Sequence, residues 1–255
     1  MNKGFVSFPE NICDDAIYDF LRDNFAGYWQ RLEINWKNLG GLNLNFTRVD
    51  KAVRRLMQIG SPIIGLLDYS INVGNQFTCP ADLNQWLDYV YAVVTRYPQI
   101  RYWEVWNEPD SRSFWDKPLA DFWPLQRLTY RMIKTINPAL TVLNGGFSGI
   151  DVADDMPKGI CDALAVHNYQ WRQSKDDKIN KDIINRMKKV ADGRKIFLTE
   201  FNVRTHAGKD LKAALGSLRK YKTLQAVFLF AIPSDAPDGF GFMGSPELIA
   251  AYKGA

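Results

Sequence analysis

Short apolar runs and longer amphipathic runs alternate along the chain. Segments 4–8, 28–36, 62–68, 101–106, 140–144, 163–169, 195–200 and 225–230 are apolar and rich in β-branched or aromatic residues, so each reads as a strand. Between them the spacing changes to the helical period. Val53, Leu56 and Met57 recur on one face of a helix over 48–59, with Thr47 as its N-cap and Asp50 three residues on. Pro80 opens the next helix, whose face carries Leu83, Trp86, Leu87, Val90 and Val94. Further helices are expected over 14–25, 121–136, 211–221 and 246–254, along Ile179, Ile183, Ile184, Met187 and Val190, and as a weak piece over 151–159.

Eight strand–helix units with strands apolar on both faces imply a parallel sheet covered by helices. Eight is the number that closes a (β/α)8 TIM barrel, and 255 residues suit one such barrel as a single domain, 1–255. A doubly wound sheet would want a glycine-rich first turn, and "FPENICDD" has none.

Composition narrows the function. A net charge of +4 without a long basic run gives no nucleic-acid footprint. Cys13, Cys79 and Cys161 are far apart and odd in number, so free thiols are expected, not a disulfide framework or zinc site. No run reaches membrane-span length, so no membrane partner is expected. The opening residues lack an apolar leader core, which leaves the compartment undetermined: extracellular if a leader was trimmed, or phage-borne. Eight Trp suit stacking on sugar faces, although most belong in a core.

The strand ends carry the chemistry. Asp68, Asn107–Glu108, Asn144, His167–Asn168–Tyr169 and Glu200 end the third to seventh strands. In a parallel barrel these ends share the face where barrel enzymes act. Two glutamates at one mouth fit glycosidic bond hydrolysis, one as proton donor and one as carboxylate. Glu104 shares strand parity with Trp106 and Glu108 and should face inward, but lies deeper; it reads as a buried charge paired with Arg31 or another cation. Asp68 is open to two readings, substrate contact or loop cap, and Asn144 reads as a turn residue. Trp36, Trp115 and Trp171 fall in rim loops as stacking candidates, with loop packing as the plain alternative.

"YWEVWNEPD" and "LTEFN" resemble the clan A retaining glycoside hydrolases. With "RLEINW", "GLLDYS" and "HNY" the pattern is most similar to family 39 and related endo-glycosidases, over nearly the whole chain. The resemblance implies Glu108 as acid/base, Glu200 as nucleophile and Asn107 as donor to the sugar 2-hydroxyl. It implies that Arg31 and Tyr169 steady Glu200 and that His167 lines the same subsite. Arg31 and Tyr169 would then lower the Glu200 pKa, and the Glu200 charge would raise that of Glu108.

One departure stands out. The clan commonly carries a Trp at the end of the eighth strand, where this chain reads "FLFAIPSD" with Phe230. Short loops favour an open cleft and internal cleavage of a polymer. "GFGFMG" at 239–244 lacks the βαβ context of a dinucleotide site, and His167 and His206 alone give no metal motif. The expectation is a cofactor-free, metal-free, monomeric hydrolase of a polysaccharide or oligosaccharide. A carbohydrate-binding barrel without turnover is the alternative.

Overall fold

All eight expected strands form and close on themselves. In the computed structural model, β1 (Asn2–Ser7), β2 (Trp29–Asn35), β3 (Ile63–Asp68), β4 (Tyr102–Val105), β5 (Thr141–Leu143), β6 (Ala163–Asn168), β7 (Lys195–Phe201) and β8 (Leu224–Leu229) make a closed barrel in chain order. Every neighbouring pair is parallel, and β1 pairs with β8 to complete the ring. The structure describes residues 1–72, 74–149, 156–169, 178–203, 208–230, 232 and 242–255, with backbone alone over 178–184.

Around the barrel run α1 (Pro9–Cys13), α2 (Asp15–Phe25), α3 (Thr47–Gln58), α4 (Leu83–Arg96), α5 (Phe122–Ile136), α6 (Lys178–Ala191), α7 (Gly208–Leu218) and α8 (Pro246–Gly254). The five-residue α1 is too short to show a period, and the sequence reading missed it. Two helix starts differ from expectation. Thr47 is not the cap of α3 but its first residue: Asn45 Oδ1 accepts its N–H at 3.0 Å, while Asp50 turns to Arg96 and Tyr97. Pro80 does not open α4; Asp82 does, its carboxylate accepting the Asn84 N–H at 2.8 Å. The weak helix expected over 151–159 is a turn where it is described, from 156 onward.

Alternation sorts the strand residues into two layers. Leu32, Leu67, Val105 and Leu198 point outward and pack on Trp86, Val90 and Leu215 of the helices. Val6, Ile64, Ala165, Phe197 and Phe228 point inward and plug the barrel. Each fully buried Val, Leu, Ile or Phe among them contributes about 1.5–3 kcal/mol. Above the plug the interior turns polar. Among the described residues no helix is long and apolar enough to cross a membrane.

Candidate active site

Two backbone irregularities aim the two glutamates. The first ends β4. Tyr102 and Glu104 face inward, and strict alternation would bring Trp106 inward as well. Instead Trp106 takes φ 71° and its buried ring packs among the outer-layer aromatics Tyr69, Trp86 and Trp115, with its N–H donating to Phe114 O at 2.8 Å. The inward placement of Trp106 is thus corrected. This turn brings Asn107 and Glu108 to the mouth. Glu108 itself sits at φ 45°, and left-handed backbone at a residue other than glycine costs about 1–3 kcal/mol. A bond from its N–H to Gly146 O, 2.9 Å, and the Asn107–Gly146 bridge hold it there.

The second irregularity lies in β7. Leu198 pairs with Val166, but Glu200, not Thr199, pairs with His167. On the other side Leu198 faces Val227 and Phe201 faces Leu229, so both neighbours register one extra residue in β7. The bulge lets two consecutive side chains reach the interior. Thr199 donates to Glu104 Oε1 at 3.2 Å, and Glu200 enters the pocket.

Arg31 ties these pieces together. Its guanidinium grips Glu104 twice, at 2.8 and 3.1 Å, Glu200 Oε1 at 2.8 Å and Asn107 Oδ1 at 2.9 Å. The sequence pairing of Glu104 with Arg31 therefore holds, and the same cation also serves Glu200. Tyr169 donates to Glu200 Oε2 at 2.6 Å. The His167 ring is buried, with Nδ1 2.6 Å from Glu108 Oε1 and 3.6 Å from Glu200 Oε2.

The charges follow from this wiring. Burial alone pushes the Glu200 carboxyl up, but His167, Arg31 and the Tyr169 hydrogen bond outweigh it and hold the group below the usual carboxylate range. Burial pulls the His167 ring down, and Glu200 and Glu108 more than reverse this, so its pKa lies above the usual histidine value. Burial raises the Tyr169 phenol, and the Glu200 charge adds to the effect. Donor atoms of Glu108, His167 and Glu200 lie within 4.8 Å of one another. Such a cluster suits a metal ion in principle, but here each group is already engaged: Glu108 with His167, and Glu200 with Arg31 and Tyr169.

A pocket of about 220 Å³ opens over this network. Arg31, Asn107, Glu108, Glu200 and Asp68 line it, so five of the expected residues converge. Tyr169 and His167 stand directly behind the two glutamates. Asp68 caps nothing among the described residues: neither carboxylate oxygen has a hydrogen-bond partner.

Two expected stacking residues do not reach the pocket. Trp36 is 2% exposed, lies flat on Tyr89 and donates its N–H to Gly41 O. Trp115 is fully buried against Trp106 and donates to Pro118 O. Both knit rim loops to the outer layer, the alternative weighed for them. Trp171 and His206 lie outside the described residues. Asn144 is not a turn residue: its amide bonds both the N–H and the C=O of Ala165 and stitches β5 to β6.

The sequence reading missed Glu33, Phe8, Tyr69 and Phe114 as pocket walls. Glu33 had a visible signal, since it shares inward parity with Arg31 on β2. Phe230 stands edge-on to Tyr169, 6.3 Å between ring centres, where the clan pattern would have a Trp.

No family model matches the chain. A β-xylosidase of Geobacillus stearothermophilus is 31% identical over 118 residues, 38% of this chain and 23% of that protein. A monomeric β-xylosidase from Caulobacter crescentus CB15 superposes with a TM-score of 0.81 at 19% identity, over 99% of this chain and 67% of that one. A GH39 enzyme from Xanthomonas axonopodis pv. citri gives 0.79 at 19% identity, over 99% and 65%. The chain thus spans about a quarter of the curated relative and about two thirds of these solved neighbours. The barrel is their barrel, and family 39, to which the motifs point, is the printed family of one of these structural neighbours.

Proposed function

We propose that this chain is a retaining glycoside hydrolase of the clan A type, cleaving β-glycosidic bonds by double displacement. The observation that carries the reading is the approach of the Glu108 and Glu200 carboxyl groups to within 4.8 Å. That separation suits a nucleophile and an acid/base acting in turn, and is too tight to seat the water of an inverting mechanism.

The roles follow from the hydrogen bonds. Glu200, ionised between Arg31 and Tyr169, attacks the anomeric carbon while Glu108 protonates the departing oxygen. The glycosyl ester removes the Glu200 charge, and Glu108 then takes a proton from water attacking the same carbon. His167, bonded to Glu108, positions that carboxyl and exchanges a proton with it. The Asn107 Oδ1 is taken by Arg31, which leaves its Nδ2 to donate to the sugar 2-hydroxyl.

Substrate class is the finer part of the proposal. Glu33 borders both the pocket and a small neighbouring depression lined by Asn35, Asn38, Asn45 and Arg48. A second polar hollow on the far side of Glu33 supports internal cleavage of a polysaccharide, with sugar units held beyond the reacting one. The test is a reducing-end assay on xylan, β-glucan, mannan and bacterial exopolysaccharides, wild type beside Glu200→Ala and Glu108→Gln. Release by wild type and loss in both variants is the expected result. Release that survives Glu200→Ala would overturn the nucleophile assignment, and early products of monosaccharide alone would overturn internal cleavage.

A further inference from the structure

Two acids in the pocket have no part in double displacement. Asp68 ends β3 fully buried, with both oxygens unpartnered among the described residues, and it lines the pocket. Glu33 lies two residues past Arg31 on β2 and lines the same space; among the described residues its one side-chain hydrogen bond is a long 3.5 Å contact from Asn35. The β2–β3 register sets Glu33 opposite Leu66 and Asn35 opposite Asp68. The two carboxyls therefore sit on adjacent strands, one inward step apart, beside the Glu108–Glu200 pair.

The cations near them are committed. Arg31 serves Glu104, Glu200 and Asn107, and His167 serves Glu108. A buried polar group left without a partner is costly, so an unpartnered acid aimed into a pocket marks a place for a ligand. Burial raises the Asp68 carboxyl well above its usual range, with Glu33 adding to the shift. Burial likewise pushes Glu33 up to about 7. A protonated carboxyl donates one hydrogen bond and accepts another, as a sugar hydroxyl does. Among the described residues the pocket's own lining holds no cation besides the committed Arg31 to neutralise a sugar carboxylate or sulfate; Arg48 lies beyond Glu33, in the adjoining depression.

We infer that Asp68 and Glu33 are the hydroxyl-recognition end of the pocket, holding an uncharged sugar ring and refusing an anionic one. The apolar walls Leu66, Tyr69 and Phe8 face the ring's CH groups. The inference rests on the hydrolase reading for the position of the ring, but it concerns binding and is measured without turnover.

The experiment is isothermal titration of Glu200→Ala with xylobiose, cellobiose, mannobiose, a glucosamine disaccharide and digalacturonic acid. At least one neutral disaccharide is expected to bind and digalacturonic acid is not. Adding Asp68→Ala should weaken that neutral sugar about tenfold or more, and Asp68→Asn, which keeps a donor and an acceptor, should restore most of it. Should Asp68→Ala not fold, Glu33→Ala at the partly exposed rim carries the same expectation. Digalacturonic acid bound as tightly as the neutral sugars, binding of the glucosamine disaccharide alone, no sugar bound at all, or neutral affinity unmoved by the acid variants would each overturn the inference. Neutral binding that depends on Asp68, with no release of sugar by wild type, would sink the hydrolase reading and leave this one standing.

Discussion

Arg31 Nη1 holds Glu200 Oε1 at 2.8 Å across the barrel mouth, while the other face of the same guanidinium is locked to Glu104. One buried cation thus serves two buried carboxylates. Replacing it by Met strands both. Breaking a buried ion pair from one side costs about 3–5 kcal/mol, so Arg31→Met should show a large drop in denaturation midpoint as well as loss of activity. Arg31→Lys should recover little, because an ammonium cannot reproduce a fork that reaches three partners at once. Chemical denaturation of the three proteins checks both statements.

Glu108 and Glu200 should separate by substrate. Against an aryl glycoside with a good leaving group, Glu108→Ala should keep its first step and slow the second. Against a poor leaving group it should lose about 10²–10⁴-fold in rate, the usual worth of a general acid. Glu200→Ala should be inactive on both. Proton NMR of the first product should show retained anomeric configuration; inversion would overturn the assignment of Glu200 as nucleophile.

Tyr169→Phe removes one of the groups that hold the Glu200 carboxyl low. Its pKa then rises, and Glu200 must be ionised to attack, so the acid limb of kcat/KM should move to higher pH. A limb that stays in place would show that the 2.6 Å contact carries no catalytic weight.

His167 gives the opposite sign in stability. Its folded pKa lies above the ordinary 6.5, so its stabilising charge is fully present below that value. The contribution is lost as pH rises through the folded value. The gap in melting temperature between wild type and His167→Asn should therefore be widest in mild acid and shrink toward alkaline pH. A gap constant over that range would place the whole effect in packing.

Gly146→Ala tests the space behind the acid/base. An added Cβ would stand 2.4 Å from His167 Nε2 and 2.5 Å from Glu104 Oε1. Overpacking of this kind costs about 1–3 kcal/mol, and here it would displace the imidazole that holds Glu108. A fall in kcat larger than the change in KM is expected from steady-state kinetics on an aryl glycoside.

The barrel was legible because both layers are apolar and strands and helices differ in period. Asp68, Asn107, Glu108 and Glu200 were legible as polar residues at strand ends, while Arg31, inside β2, was legible only through the family resemblance. What alternation could not give was direction where the backbone breaks its own rule. Trp106 turns outward through a left-handed φ, and the extra residue in β7 has no signature in "IFLTEF". Trp36 and Trp115 were offered to solvent because loop position was read as exposure. Their rings instead bury against Tyr89 and Trp106, where an indole gains more contact than at an open rim. Glu33, although inside "RLEINW", was passed over because it stands mid-strand and not at a strand end.

The bulge in β7 makes the reactive carboxyl a matter of counting. Were β7 to run flat, without the extra residue that both neighbours register, the eight strands, the helices, the apolar plug and the letters of both motifs would all stay in place. Yet with Phe197 inward and Leu198 outward, plain alternation would keep Thr199 inward and turn Glu200 toward the helices, away from Arg31 and Tyr169. In descent or in design, a shift of a single position could silence such a barrel while every diagnostic residue survived in its sequence. A search that scores identities alone would pass the silent chain as an enzyme.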